Sequence, residues 1–262
     1  MDRRDEGGVT ASAIRFAHVS KRFAGAATAA VDGIDLEIPA GQFVALVGAS
    51  GSGKTTTLKL VNRLVEADAG TILLRGRAVA ETPLTELRRS IGYAVQGIGL
   101  FPHLTVAENI AMPLRLAGKV DAARVAELLA MVELPVDYGD RDPAALSGGE
   151  RQRVGFARAL ATGPDILLMD EPFGALDPVT RDSLSASYRA LHQRLGLTTL
   201  MVTHDMQEAM LLADRIVVME AGRIVADATP RELLAGAVGA TAAALVAVPR
   251  AQAARLESLA RG

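Results

Sequence analysis

A purely apolar run, Phe43-Val-Ala-Leu-Val47, leads directly into Gly48-Ala-Ser-Gly-Ser-Gly-Lys54-Thr55, and a helix-like segment follows. The eight residues match G-x-x-x-x-G-K-[ST] in its expected strand–loop–helix setting. Few folds accommodate this succession. Glycines let the backbone curl round an anion with its N–H groups inward, and the helix N-terminus adds about half a positive charge. Gly48, Ser50, Gly51, Ser52, Gly53, Lys54, Thr55 and Thr56 are the expected phosphate contacts. Lys54 would bring a mobile charge to β- and γ-phosphates, and the Thr55 hydroxyl is suited to Mg²⁺. A flexible loop that happens to contain lysine is the alternative, and the context weighs against it. The motif implies nucleotide binding with phosphoryl chemistry. It does not separate kinase, GTPase and ATPase.

Strand-like runs at Ile14–Ser20, Val31–Ile38 and Phe43–Val47 are followed by a helical pattern over Lys54–Val65, where apolar residues recur at helical spacing. A strand pair at Thr71–Leu74 and Ile91–Val95 brackets a polar helix-like stretch. From about Gly97 the pattern turns mostly helical, with Pro and Gly breaks, and reads as an inserted helical subdomain over 97–160. Strands resume at Ile166–Met169, Thr199–Val202 and Ile216–Met219, and the turn Ala221-Gly222 leads into Arg223–Ala226. Apolar strands alternating with helices imply an α/β fold with a mostly parallel central sheet, covered on both faces. Residues 1–12 read as a flexible leader, 13–236 as the main domain, and 237–262 as a helical tail whose simplest form is an amphipathic surface helix.

The run Ile166-Leu-Leu-Met169 ends in two carboxylates, Asp170 and Glu171. Beside a phosphate loop, Asp170 is placed to hold Mg²⁺, directly or through water. Glu171 points to the other side of the strand end and is placed to polarise an attacking water. His204 closes another apolar strand and could hydrogen-bond the γ-phosphate and the water. Alone, such a histidine is more often an ordinary surface or core residue.

Leu146-Ser147-Gly148-Gly149-Glu150 carries the most specific pattern. Ser147 and Glu150 also make an ordinary capping box. Such a box has no use for two glycines, which disfavour a helix by roughly 1 kcal/mol each relative to alanine. They make sense if backbone N–H groups must approach an anion closely. Here the sequence resembles the ABC ATPase family, whose signature is LSGGQ or LSGGE. The resemblance covers about residues 14–230, with the family's motifs in order. It implies a P-loop NTPase of ABC type with an N-terminal antiparallel β subdomain. By resemblance Phe23 stacks on adenine, although tyrosine is commoner there. Gln96 is the glutamine-loop residue near Mg²⁺ and ATP, Ala175-Leu176-Asp177 is the D-loop, and His204 is the switch histidine. The resemblance also implies that Ser147, Gly148, Gly149, Glu150 and Asp177 contact ATP held by an opposite subunit. One phosphate loop and one signature occur here, so a head-to-tail pair with itself or a paralogous ATPase is expected, with Lys54, Glu171 and His204 as the catalytic set.

In the transporter branch, the segment after the glutamine receives a permease helix. Ile98, Leu100, Phe101 and Pro102 are the corresponding docking candidates, and subdomain core is the competing reading for each. The runs IGYAVQGIGLFPHLTVAENI and MDEPFGALDPVTR resemble the osmoprotectant importer ATPases, which serve glycine betaine, choline and similar solutes. Gly97 departs from that group's second glutamine, and the chain ends short of the paired CBS domains some members carry. The resemblance implies an importer motor with ATP and Mg²⁺ as cofactors. Its implied partners are an integral-membrane permease and an extracytoplasmic solute-binding protein. The expected location is peripheral, on the cytoplasmic face of the inner membrane.

Composition agrees. Net charge is −2, which leaves no electrostatic footprint for nucleic acid. No apolar run approaches the roughly 20 residues of a spanning helix. Cysteine is absent, which removes disulfides and Cys-based metal sites. With 50% hydrophobic and only 3% aromatic residues, the core is expected to be aliphatic. The alternatives are an importer ATPase for another small solute such as an amino acid, and the non-transport ABC ATPases. The latter usually show tandem domains, coiled-coil heptads or zinc cysteines, none of which appears here.

Overall fold

The computed structural model describes residues 12–119, 121–236 and 239–261. The leader expected at 1–12 lies outside them except for Ser12, which opens the first strand. Strands β1 (Ser12–Lys21), β2 (Val31–Pro39) and β3 (Phe43–Val47) precede helix α1 (Lys54–Val61). Strands β4 (Ala69–Leu74) and β5 (Arg77–Ala78), helix α2 (Leu84–Arg89) and strand β6 (Ile91–Ala94) follow. Helices α3 (Val106–Leu116), α4 (Ala122–Met131) and α5 (Gly148–Ala159) come next. The chain continues through β7 (Ile166–Asp170), α6 (Pro178–Leu195), β8 (Thr198–Val202), α7 (Met206–Leu212), β9 (Arg215–Glu220) and β10 (Arg223–Ala228). It closes with α8 (Pro230–Ala235) and α9 (Ala240–Arg261).

Two sheets form. Four antiparallel strands run in the order β2-β1-β4-β5, and six run β10-β9-β3-β8-β7-β6. In the larger sheet only the β9–β10 hairpin is antiparallel. Its turn residues Ala221 and Gly222 both have positive φ, 46° and 83°, as a tight hairpin turn requires. The supposed strand pair does not exist. β4 joins β1 in the antiparallel sheet, whereas β6 is the edge of the central sheet beside β7. Local pattern locates a strand but cannot say which partner takes its hydrogen bonds. Helix α1 also stops four residues short of the periodic pattern, because Asn62 caps it and Arg63 adopts φ 51°.

β3, β7 and β8 are buried along their whole length, as parallel strands covered on both faces must be. Alternate residues feed two separate cores. Phe43, Ala45 and Val47 join Leu167, Met169 and Met201 on the face covered by α3, α5 and α6. Val44 and Leu46 join Ile166, Leu168, Leu200 and Val202 beneath α1 and the antiparallel sheet. Each of the Val, Leu, Ile, Phe and Met side chains among them contributes roughly 1.5–3 kcal/mol of burial.

The core is less purely aliphatic than the composition suggests. Of six Phe and three Tyr in the chain, Phe43, Phe156, Phe173 and Tyr188 meet in one cluster, with Phe156 5.7 Å from Phe173 and 5.2 Å from Tyr188. The Tyr188 hydroxyl is satisfied by Thr199 Oγ1 at 2.9 Å, which also meets His192 Nδ1 at 3.0 Å. Phe156 fastens α5 to the central sheet through this cluster. Helix α9 packs back through buried Ala242 and Val246, so the tail's first turns join the main core. Among the described residues no helix is long and apolar enough to cross a membrane.

Phe156→Ala should cost about 3–5 kcal/mol of stability, read as a fall in the denaturant midpoint at unchanged slope. A loss below about 1 kcal/mol would mean that the cluster does not carry α5.

Candidate functional site

Parallel register brings the chemistry to one edge. Leu46 pairs with Val202 in β8, and Asp170 at the end of β7 pairs with the same residue. The phosphate loop after β3, Glu171 after β7 and His204 after β8 therefore emerge side by side at the carboxyl ends of their strands. That is where open α/β sheets place ligands. Strand β8 lies between β3 and β7, yet Asp170 stands beside the phosphate loop, where the Thr55 hydroxyl reaches across to donate to Asp170 Oδ1 at 3.0 Å.

Two loop glycines are sterically obligatory. A Cβ on Gly48 (φ 148°) would lie 2.1 Å from the Met219 carbonyl oxygen, and one on Gly53 (φ 103°) 2.1 Å from the Ala30 oxygen. Inside the loop, Lys54 Nζ donates to the Gly48 and Ala49 carbonyls at 2.9 and 2.8 Å and to Ser52 Oγ at 3.4 Å. Burial pushes its pKa down, while Glu171 and Asp170 push it back up. Asp170 is itself buried. Desolvation holds its carboxyl above the usual range, against the Thr55 hydrogen bond and the nearby lysines.

Glu171 has φ 46°, uncommon for a residue with a Cβ. Its N–H is tied to the Val202 carbonyl at 2.9 Å. The carboxylate Oε2 receives Gln96 Nε2 at 3.4 Å and lies 3.3 Å from His204 Nδ1. Gln96 is thus drawn to Glu171, beside the Thr55–Asp170 pair. A cleft of about 420 Å³ is lined by Ala30, Ser50, Gly51, Gly53, Lys54, Thr55, Thr56, Glu171 and His204. Ala30 had no marker in the sequence, since it enters from the β1–β2 loop on tertiary grounds alone. Phe23 sits on the same loop, 45% exposed, with Lys21 Nζ 5.7 Å from its ring centre. It does not line this cleft.

The 146–150 segment does not line it either. The capping box forms: Ser147 Oγ accepts the Glu150 N–H at 3.3 Å, and Glu150 Oε2 accepts the Ser147 N–H at 2.7 Å. That Ser147 N–H holds the Glu150 carboxyl below its usual pKa, and Tyr138 donates to its other oxygen at 3.0 Å. Ser147 accepts with a lone pair, so its own proton stays available to donate. The two glycines have different reasons. A Cβ on Gly149 would fall 2.6 Å from Thr180 Cγ2, a constraint within this chain. One on Gly148 would meet Leu176 at an ordinary 3.5 Å, so packing does not require that glycine. Asp177 caps α6 by accepting the Thr180 N–H at 3.0 Å, and Thr180, through its side chain first and then its N–H, lowers the Asp177 pKa.

Of the docking candidates, Leu100 is half-buried against the core, Ile98 is half-buried, Pro102 is exposed, and Phe101 is 42% exposed. The competing readings therefore divide among them.

Sequence reasoning passed over Glu208, four residues after His204. It is 8% exposed, and burial, with Asp205 adding, pushes its carboxyl from 4.5 up to about 7. A raised carboxylate pKa means stability that is full below the unfolded value and lost as pH rises through the folded one. Glu208→Gln should therefore match the parent near pH 4 and exceed it at pH 8 by up to about 3 kcal/mol. Thermal unfolding across that range reads the difference, and an equal gain at both pH values would reject the ionisation as its cause.

Against known proteins, a family model described as ABC transporter matches residues 31–174. The glycine betaine/carnitine/choline transport ATP-binding protein OpuCA of Bacillus subtilis (strain 168) is 48% identical over 224 residues, 84% of this chain and 59% of that protein. The sulfate/thiosulfate import ATP-binding protein CysA of Thermosynechococcus vestitus is also 48% identical over 224 residues, 84% of this chain and 65% of its own. The chain thus spans about three fifths of the length of such relatives. Among solved structures, the dimeric post-hydrolysis state of the ATP-binding cassette MJ0796 bound to ADP and Pi superposes with a TM-score of 0.74 at 32% identity. It covers 83% of this chain and 99% of that one.

Proposed function

Because this chain belongs to the ABC transporter family, we propose that it is an ATP-hydrolysing motor that works as a head-to-tail pair beneath a membrane permease. One observation carries the reading. The phosphate loop, Glu171 and His204 line a single cleft, while the Ser147–Glu150 segment, at the N-terminus of α5, lines no part of it. A second copy, or a paralogous subunit, would bring its own Ser147 hydroxyl, its Gly148 and Gly149 N–H groups and Asp177 to the γ-phosphate. Two ATP molecules would then be enclosed between two chains.

Phosphoryl transfer asks mainly for positioning and charge stabilisation. Loop N–H groups and Lys54 hold the β- and γ-phosphates, exchanging loop carbonyls for phosphate oxygens. Phe23 offers its exposed ring to the adenine. The hydroxyl–carboxylate pair Thr55–Asp170 fits a magnesium ion, which keeps waters and few protein ligands; among the described residues no larger cluster of metal-binding side chains occurs. Thr55, Asp170 and Gln96 would hold Mg²⁺, which would supply positive charge against the phosphates. Glu171 accepts a proton from water as the water oxygen attacks the γ-phosphorus. The bond to the β-phosphate bridge oxygen breaks and ADP leaves. His204 keeps Glu171 and the γ-phosphate in register.

The exposed Phe101 and Pro102 offer a permease helix an apolar seat, with Ile98 and Leu100 behind them. On this reading the chain would sit peripherally at the cytoplasmic membrane face, and an extracytoplasmic binding protein would choose the solute. OpuCA-like similarity favours glycine betaine, choline and related quaternary amines. The equal identity to CysA keeps sulfate-type oxyanions as the second reading.

Glu171→Gln should leave ATP binding intact, trap the dimer on sizing columns, and slow hydrolysis by about a hundredfold, near 2.7 kcal/mol of barrier. Unchanged turnover would remove Glu171 from the role. Gly148→Ala should fold at least as stably as the parent, by up to about 1 kcal/mol, yet fail to pair with ATP; normal pairing would refute the shared site. For the cargo, labelled glycine betaine and sulfate would be offered to a host lacking its own uptake systems. The host carries the whole transporter with Glu171 intact or as glutamine. Glu171-dependent uptake of one solute assigns it, and uptake of neither leaves the motor without this cargo.

A further inference from the structure

The segment joining β6 to α3 holds an unusual conformation. Gly97, Ile98 and Gly99 are consecutively left-handed, with φ 74°, 69° and 56°. The glycines accept this freely, but Ile98 is β-branched and avoids it. Such a backbone persists only where its surroundings hold it. The holding group is Arg158, at the far end of α5 from Ser147. Its guanidinium donates NH2 to the Ile98 carbonyl at 2.9 Å and NH1 to the Gly99 carbonyl at 2.8 Å. The same group lies 5.8 Å from the Phe101 ring centre, within cation–π range. Ile98 itself rests over Gly155 on the same helix.

The other end is tied elsewhere. Fully buried Asn109 of α3 accepts the Phe101 N–H at 2.8 Å and donates to the carbonyls of Phe101, Leu104 and Thr105 at 3.0–3.1 Å. Phe101 is therefore fixed from inside by two helices while its ring faces outward.

We infer that Arg158 is a positioning residue that locks the 98–101 segment to the signature helix, so that a push on Phe101 displaces Ser147 and Gly148 as one rigid unit. The inference rests on the permease-docking reading given above. Between the two ends runs a helix of 12 residues, about 18 Å of rod. The planar fork of arginine suits this task, because it reaches two carbonyls and a ring face at once. A lysine ammonium is a single mobile point and cannot. Arg158 contacts neither the nucleotide cleft nor the 147–150 backbone, so its loss should leave unassisted hydrolysis alone and break its response to the membrane partner.

The test uses the complete transporter in liposomes, with hydrolysis measured alone and with solute-loaded binding protein. The same variants are assayed as isolated chains. In Arg158→Lys the ratio of stimulated to basal hydrolysis should fall about tenfold or more while basal turnover stays within about twofold of the parent. Arg158→Gln, which keeps only an amide donor, should repeat that split and guards against misfolding of the lysine form. An unchanged ratio in both variants, or equal loss of both rates, overturns the inference. Phe101→Asp separates the two levels. If it too preserves stimulation, the docking reading fails and the inference with it. If it abolishes stimulation while both Arg158 variants keep it, docking stands and the Arg158 lock alone is rejected.

Discussion

A single hydrogen bond, from Thr55 to Asp170 across the end of β8, ties the start of α1 to the end of a strand that is not its neighbour. It exists because five parallel strands keep one register, so that β3, β7 and β8 end level. The carboxylate it holds is buried and raised in pKa by that burial, and the ammonium of Lys54 nearby is lowered by the same cause. Both groups hold charge in a place that opposes it. Such a site gains most from a ligand carrying phosphates and a divalent cation, because each then neutralises what burial penalises.

Hydrophobic register sustains this arrangement. Adjacent residues of β3 enter different cores, Phe43, Ala45 and Val47 on one face and Val44 and Leu46 on the other. A slip of one residue would exchange the faces and move the phosphate loop off the edge where Asp170 and His204 end. The aromatic cluster adds a second anchor, fixing α5 to β3 and α6. Helix α5 is thus held to the central sheet at its middle, capped at Ser147 at one end, and bonded through Arg158 to the 98–101 segment at the other.

The two signature glycines show how one motif serves two masters. A Cβ on Gly149 would press on the Thr180 methyl within the same chain, whereas one on Gly148 would meet Leu176 at an ordinary distance. Reading both as anion-approach residues overstates the case for the first and leaves it intact for the second. The capping box, the ordinary structural reading, forms as well. Structure and the proposed trans contact use different atoms of Ser147, its lone pair and its proton.

The sequence by itself determined the strand–loop–helix start of the site, the acidic end of β7, the capping box at Ser147, the β9–β10 hairpin turn and the α/β class. Each of these is a local pattern of spacing or residue chemistry. Tertiary structure alone decided the rest. It separated β4 from β6 into different sheets, placed β8 between β3 and β7, and ended α1 at Val61. It also brought Ala30 to the cleft, gathered the few aromatic residues into one cluster, buried Glu208, and set Arg158 against a segment about sixty positions away. The physical reason is the same throughout. Periodicity and turn chemistry act over a few residues, while strand partners, obligatory glycines and buried charges depend on which distant backbone lies within about 3 Å.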